Sequence, residues 1–230
     1  MPHLHKALTL AAIAMKILII ISTLFFLYSC SGTNSNEINT TTNGKDWNIS
    51  LGDSLGNLQI VLPKHFDTLF SWTQYSDCGD GCAKSDYRIQ DKTLPIFKDN
   101  GFIYFPLKDS VEQFTIKHSK RFSPWPFNDT SFVRQFLGRL KSEAFENNGN
   151  KFSIDTLLTI GTQHFAVIAF TSFDTTKKAK IQMLNAMSSI KGNIVELFFE
   201  YRKSYADTLS NDFIKNSFDA LKTIRVSNGS

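Results

Sequence analysis

The chain predicts an α+β fold, mainly antiparallel sheet flanked by helices, and three observations carry that expectation. Short β-rich runs bounded by turn residues occupy most of residues 57–202, the pattern of a strand-dominated domain. Two pairs of longer runs meet at Gly161-Thr162-Gln163 and Lys191-Gly192-Asn193, glycine turns that fold neighbouring strands antiparallel. Two stretches, 130–147 and 213–222, instead repeat apolar residues every three or four positions, as amphipathic helices do. There is no internal repeat and none of the regular β-α alternation of a doubly wound sheet.

Ahead of this domain lies an address. Lys16 is followed by an apolar run, 17–28, and then by Ser29-Cys30; a positive flank, an apolar core of roughly 7–15 residues and a small residue at the end make an export signal. The pattern resembles a bacterial lipoprotein signal, with Leu27-Tyr28-Ser29-Cys30 as the lipobox and Cys30 as the lipid-modified first residue of the mature chain. Tyr28 departs from that pattern, being larger than the residue usual there. The alternatives are a signal cleaved without lipidation and an uncleaved anchor. Residues 8–28 approach the roughly 20 needed to span a bilayer, but Lys16 in their middle costs about 2.5–3.5 kcal/mol on insertion, which favours the short reading. Met15 is an alternative start.

Lipidation of Cys30, by palmitate or similar acyl chains, would hold the chain on a membrane. Each buried methylene contributes about 0.8 kcal/mol, and one chain alone binds only marginally, so two or more are required. Ser31 is not the acidic residue associated with inner-membrane retention, which points to the outer membrane, facing the periplasm. Residues 31–44 are polar and almost free of apolar side chains, so they cannot bury enough surface to fold. They read as a tether with a reach on the order of 20 Å. The expected organisation is a signal peptide over 1–29, the lipidated cysteine and tether over 30–46, and one α+β domain over 47–230.

The formal charge of +4 falls to +2 once Lys6 and Lys16 leave with the signal, since no acidic residue precedes Glu37. So small a balance lacks the basic field of nucleic-acid-binding proteins, and nucleic acid is not an expected partner. With Cys30 given to lipid, Cys78 and Cys82 remain in Asp77-Cys78-Gly79-Asp80-Gly81-Cys82. A disulfide is the simplest reading, stabilising by only about 2 kcal/mol across so short a loop. A redox pair is the next reading, although thioredoxin-type centres have two intervening residues; zinc would need a second ligand pair. Asp77, Asp80 and Asp86 lack the spacing of a calcium loop.

The elements follow in order. Strands are expected over 57–63, where alternation ends at Pro63, and over 66–75, 85–90 and 101–105. The run 111–118 is expected to be a strand covered on both sides, with Phe114 and Ile116 read on different faces. A helix over 130–147 opens at Asn128-Asp129, with an apolar stripe that includes Val133, Phe136, Leu137 and Leu140. Hairpin strands 152–160 and 164–173 come next. Residues 181–190, rich in Met, Leu and Ala, are assigned to a second hairpin with 194–202, in which Val195, Leu197, Phe199 and Tyr201 share one face and Glu196, Glu200 and Arg202 the other. Ser210-Asn211-Asp212 then caps a helix over 213–222, followed by the short strand 224–226.

The strands 164–173 and 194–202, followed by Phe213-x4-Phe218-x2-Leu221-Lys222-Thr223-Ile224, resemble the closing strand, helix and last strand of the PsbP-like α/β/α sandwich family of photosystem extrinsic proteins. The resemblance spans residues 57–226 and extends to Bacteroidetes-type lipoproteins bearing such a domain. It implies a non-enzymatic accessory, assembly or docking module on a membrane complex, and transfers no binding residue.

Chemistry-bearing motifs are sparse. His65, His118 and His164 form no metal-binding or catalytic spacing, and there is no nucleophile elbow, phosphate loop or dinucleotide fingerprint, so no cofactor or metal is expected. His118 and Ser119 are adjacent in a strand and so point to opposite faces. Asp155, Glu196 and Glu200 are acids that could meet in space. The segment from Lys117 to Phe127 combines Lys117, Lys120 and Arg121 with Trp125 and Phe127 in a proline-stiffened loop. It is the candidate surface for an envelope protein or glycan partner, cations attracting acidic groups while the aromatics supply contact area; alternatively those aromatics cover the sheet edge. The expected function is a lipid-anchored, non-enzymatic envelope docking module. The alternative is a periplasmic hydrolase or small-ligand binder, which would require a concave site with convergent polar groups.

Overall fold

A computed structural model of the chain describes residues 44–52, 55–75, 77, 82–94, 111–119, 130–148, 151–175, 178–204 and 212–227. The first hairpin pairs β1 (Gly44–Leu51) with β2 (Gly56–Pro63), and the last strand, β10 (Arg225–Ser227), closes on the other side of β2. These three make a small antiparallel sheet of order β1-β2-β10. The remaining strands are β3 (Thr68–Gln74), β4 (Lys84–Gln90), β5 (Val111–Ser119), β6 (Lys151–Ile160), β7 (Gln163–Asp174), β8 (Ala179–Ile190) and β9 (Asn193–Ser204). They form a seven-stranded sheet of order β3-β4-β5-β9-β8-β7-β6, antiparallel throughout. Two helices complete the fold, α1 (Thr130–Asn148) and α2 (Phe213–Lys222). The class is α+β, mostly antiparallel sheet.

Period-2 alternation explains how the large sheet is covered. On one face Ile89 of β4, Phe114 of β5, Phe199 of β9, Leu184 of β8 and Ala169 of β7 lie side by side in register, and all are 0–2 % exposed. Against them pack Ile49, Leu58 and Leu62 of the small sheet and Phe213, Ala220 and Leu221 of α2. The other face carries Ala166, Ile168 and Phe170 of β7 with Met187 of β8, and α1 covers them with Val133, Phe136 and Leu140. So the sheet has a helix on each side, and β7 reads as a continuous buried run, 165–170, because both of its faces are covered. Further along that second face the side chains turn polar, with Arg88, Gln113 and Thr115 buried beside one another.

The hairpins turn where the glycines allow it. Gly161 has φ +60° at the first position of a two-residue turn, and Lys191-Gly192 has φ 49° and 82°, the left-handed pair that matches strand twist. The methionine- and alanine-rich stretch is strand, as expected, since β8 lies between β7 and β9 and both of its edges are paired.

Several expectations are corrected. The first strand begins at Gly44, so Gly44, Lys45 and Asp46 belong to sheet and not to the tether. Its signal was present in Trp47, Ile49 and Leu51, which alternate along one face. Phe114 and Ile116 share a face, as residues two apart on a strand must; the second side of β5 is closed over Gln113 and Thr115. Asp212 occupies the N-cap of α2 but makes no side-chain cap hydrogen bond. The helix is secured at its other end, where the Thr223 hydroxyl donates to Ala220 O at 2.6 Å and accepts from Val61 N at 2.9 Å, tying α2 to β2. The strand expected over 101–105 and the caps Asn128, Asp129, Ser210 and Asn211 lie outside the described residues.

Candidate functional site

The residues singled out by sequence fall in different places. Cys30, Lys120, Arg121, Trp125 and Phe127 lie outside the described residues, as does Cys78, the expected disulfide partner of Cys82. Lys117 is described, and it is not a free surface cation. On β5, opposite Asp86 of β4, its Nζ lies 3.8 Å from Oδ1 of that fully buried carboxylate and 5.4 Å from the Phe198 ring. A charge this buried requires a partner. Lys117→Gln is therefore expected to lower stability by about 1–3 kcal/mol, below the usual cost of breaking a buried pair because the lysine is itself partly exposed. Chemical unfolding reads the loss directly; an unchanged midpoint would return Lys117 to the surface set.

The acids do not converge. Asp155 on β6 pairs with Lys141 of α1, while Glu200 on β9 accepts from Gln113 Nε2 at 2.9 Å and pairs with Arg202. Strands β8 and β7 separate them, a distance on the order of 14 Å at the usual strand spacing. His118 is 3 % exposed and stacks on Tyr87, ring centroids 5.7 Å apart. His164 shares a hydrogen bond of 2.9 Å with the Thr159 hydroxyl across the β6–β7 hairpin. Both are tied into sheet structure.

The third histidine marks a concavity. Proline ends β2 at Pro63 because its ring nitrogen cannot continue the ladder, and Phe66 N closes the turn onto Pro63 O at 3.0 Å. That turn carries His65 to the mouth of a pocket of about 130 Å³. The floor is aromatic: Phe66, Phe199 and Phe213 are 3, 2 and 5 % exposed. The wall is the first turns of α2, contributing Asn216, Ser217 and Ala220, with Ser217 buried at 4 %. At the mouth His65 Nε2 meets Glu112 Oε1 at 3.0 Å, the two side chains 43 and 29 % exposed. The imidazole lies against Phe66, centroids 4.6 Å apart.

The Asp91 carboxyl is held below the ordinary carboxylate value by hydrogen bonds from the Thr93 hydroxyl and amide, both 2.7 Å, with the charges of His65 and Lys92 adding to the effect. Asp67 is lowered too, chiefly by the Thr68 hydroxyl. Sequence reasoning missed this pocket. His65 was seen only as a histidine without a motif, and nothing in the chain links it to Glu112, Phe199 or Ser217, which the fold alone brings together. Among the described residues no group of three or more His, Cys, Asp or Glu side chains could hold a metal.

The class thus defined is an α+β domain with a two-sheet and helix core and a small amphipathic pocket between β2, β5, β9 and α2. No family model and no curated protein matches the sequence. Solved structures give distant likenesses. The chain is similar to the cyanobacterial PsbP protein, CyanoP, of Synechocystis, with 10 % identity, TM-score 0.44, and 86 % of this chain and 97 % of that one covered. It is also similar to a protein of unknown function, PA94, from Pseudomonas aeruginosa, at 10 % identity and TM-score 0.37, covering 81 % of this chain and all of that one. LpqN of Mycobacterium tuberculosis, involved in cell envelope biogenesis, matches at 14 % identity and TM-score 0.34, over 79 % of this chain and 87 % of its own.

Proposed function

We propose that the protein is a lipid-anchored cell-envelope docking module, non-enzymatic, held by acylated Cys30 on the outer membrane and facing the periplasm. The observation that carries this reading is the order along the chain: the address ending at Cys30, the polar run after it, and a folded strand starting at Gly44. A tether that stops where the sheet begins is what lifting a domain off the headgroups requires, with a reach on the order of 20 Å. In an oxidising envelope Cys78 is the natural partner of Cys82. The docking surface is the segment around Lys120, Arg121, Trp125 and Phe127; Lys117 drops out of it because Asp86 already holds its charge.

The test is recovery of the intact protein from membranes in mild detergent, beside a control beginning after Cys30, with mass spectrometry of everything retained. One stoichiometric envelope protein is expected with the wild-type chain. It should be lost when Trp125 and Phe127 become alanine and Lys120 and Arg121 become glutamine, and kept in Lys117→Gln. Recovery of the protein alone would overturn stable docking.

A further inference from the structure

We infer that the pocket between β2, β5, β9 and α2 is a binding site for a small aromatic amine, a ring of benzene size carrying a protonated amino group. This goes beyond docking and is independent of it. Volume sets the first limit. The pocket holds about 130 Å³; a cavity of about 150 Å³ lined by apolar side chains takes benzene, whereas pockets for drug-sized ligands run to about 300–1,000 Å³. The enclosed space matches one ring.

The lining sets the second. Phe66, Phe199 and Phe213 give a ring three aromatic neighbours, and aromatic rings favour edge and offset contacts with one another. These walls are fixed in place: Phe199 packs on Phe114 with centroids 4.5 Å apart, and Phe213 stacks on Tyr201 at 5.3 Å. A rigid, pre-formed socket spares a ligand the cost of ordering it.

The mouth sets the third. Glu112 reaches His65 through Oε1, and an ionised carboxylate has a second oxygen with acceptor sites of its own and no proton to give. A group beside it must donate, and a cation gains most. An anion would meet the Glu112 carboxylate at the mouth. The Ser217 hydroxyl, buried among the aromatics, supplies one polar contact deeper in the wall.

The experiment titrates benzylamine, benzyl alcohol and benzoate into the full chain in mild detergent, read by ligand-observed NMR against detergent alone. Benzylamine is expected to saturate, and benzoate to bind at least tenfold more weakly. Glu112→Gln should weaken benzylamine about tenfold while leaving benzyl alcohol unchanged, and Ala220→Leu, which fills the wall, should abolish both. Signals no larger than those of micelles alone, benzoate binding as well as benzylamine, or Glu112→Gln leaving benzylamine unchanged would each overturn the assignment. If Ala220→Leu does not fold, Glu112→Gln still decides, because it alters a charge at the rim and no packing.

Discussion

Replacing Phe114 with alanine is expected to destabilise the fold by about 3–5 kcal/mol, the range for truncating a well-packed aromatic side chain. Phe114 is 0 % exposed at the middle of β5. In register it lies between Ile89 of β4 and Phe199 of β9, and its ring sits 4.5 Å from that of Phe199. The void left by the ring cannot close cheaply, because both neighbouring strands are held by ladder hydrogen bonds and the small sheet and α2 form the lid of this core. A loss of this size is a large fraction of the stability of an ordinary domain. The reference is Leu69→Ala on β3, where the side chain is 38 % exposed and a change within about 0.5 kcal/mol is expected. Denaturant midpoints at constant slope compare the two. A cost below about 1 kcal/mol for Phe114→Ala would mean that the two sheets do not meet over β5.

The second large effect is at Cys30. In the wild-type chain the mature N-terminal peptide is expected to begin at Cys30 and to carry acyl mass, with metabolic palmitate label retained until detergent is added. Cys30→Ala should take no label and keep residues 1–29. The size of the effect follows from the physics of the anchor. A single chain of myristoyl length gives an association constant of only roughly 10⁴ M⁻¹, and at about 0.8 kcal/mol per methylene a second chain raises it by several orders of magnitude. A wild-type peptide that starts elsewhere, or the same peptide mass from the alanine variant, would remove the anchor from the proposal and leave a plain export signal or a spanning segment.

Much of the sheet was legible because β-strands announce themselves locally. Residues 194–202 show Val195, Leu197, Phe199 and Tyr201 alternating with Glu196, Glu200 and Arg202, and β9 buries the first set and turns the second away. The stripe Val133, Phe136 and Leu140 was read the same way and packs as a stripe. What escaped was short or ended by contacts from elsewhere: β1 begins inside a polar run, and its Trp47 is held by a bond from Nε1 to Phe66 O at 3.1 Å. The charge of Lys117 was legible, but its partner was not, since Asp86 lies on another strand and only pairing sets the two side by side.

The α+β class and the position of nearly every described strand and helix are written locally, because turns, helical stripes and strand alternation depend on neighbours a few residues apart; the address and tether are read the same way, as expectations. It takes the folded chain to set β2 and β10 in a small sheet apart from the large one, to place β9 between β5 and β8, and to bring His65, Glu112, Phe199 and Ser217 around one pocket. Those outcomes rest on which of several similar apolar faces meets which. That choice is made by shape and burial across long stretches of chain, where local periodicity is silent.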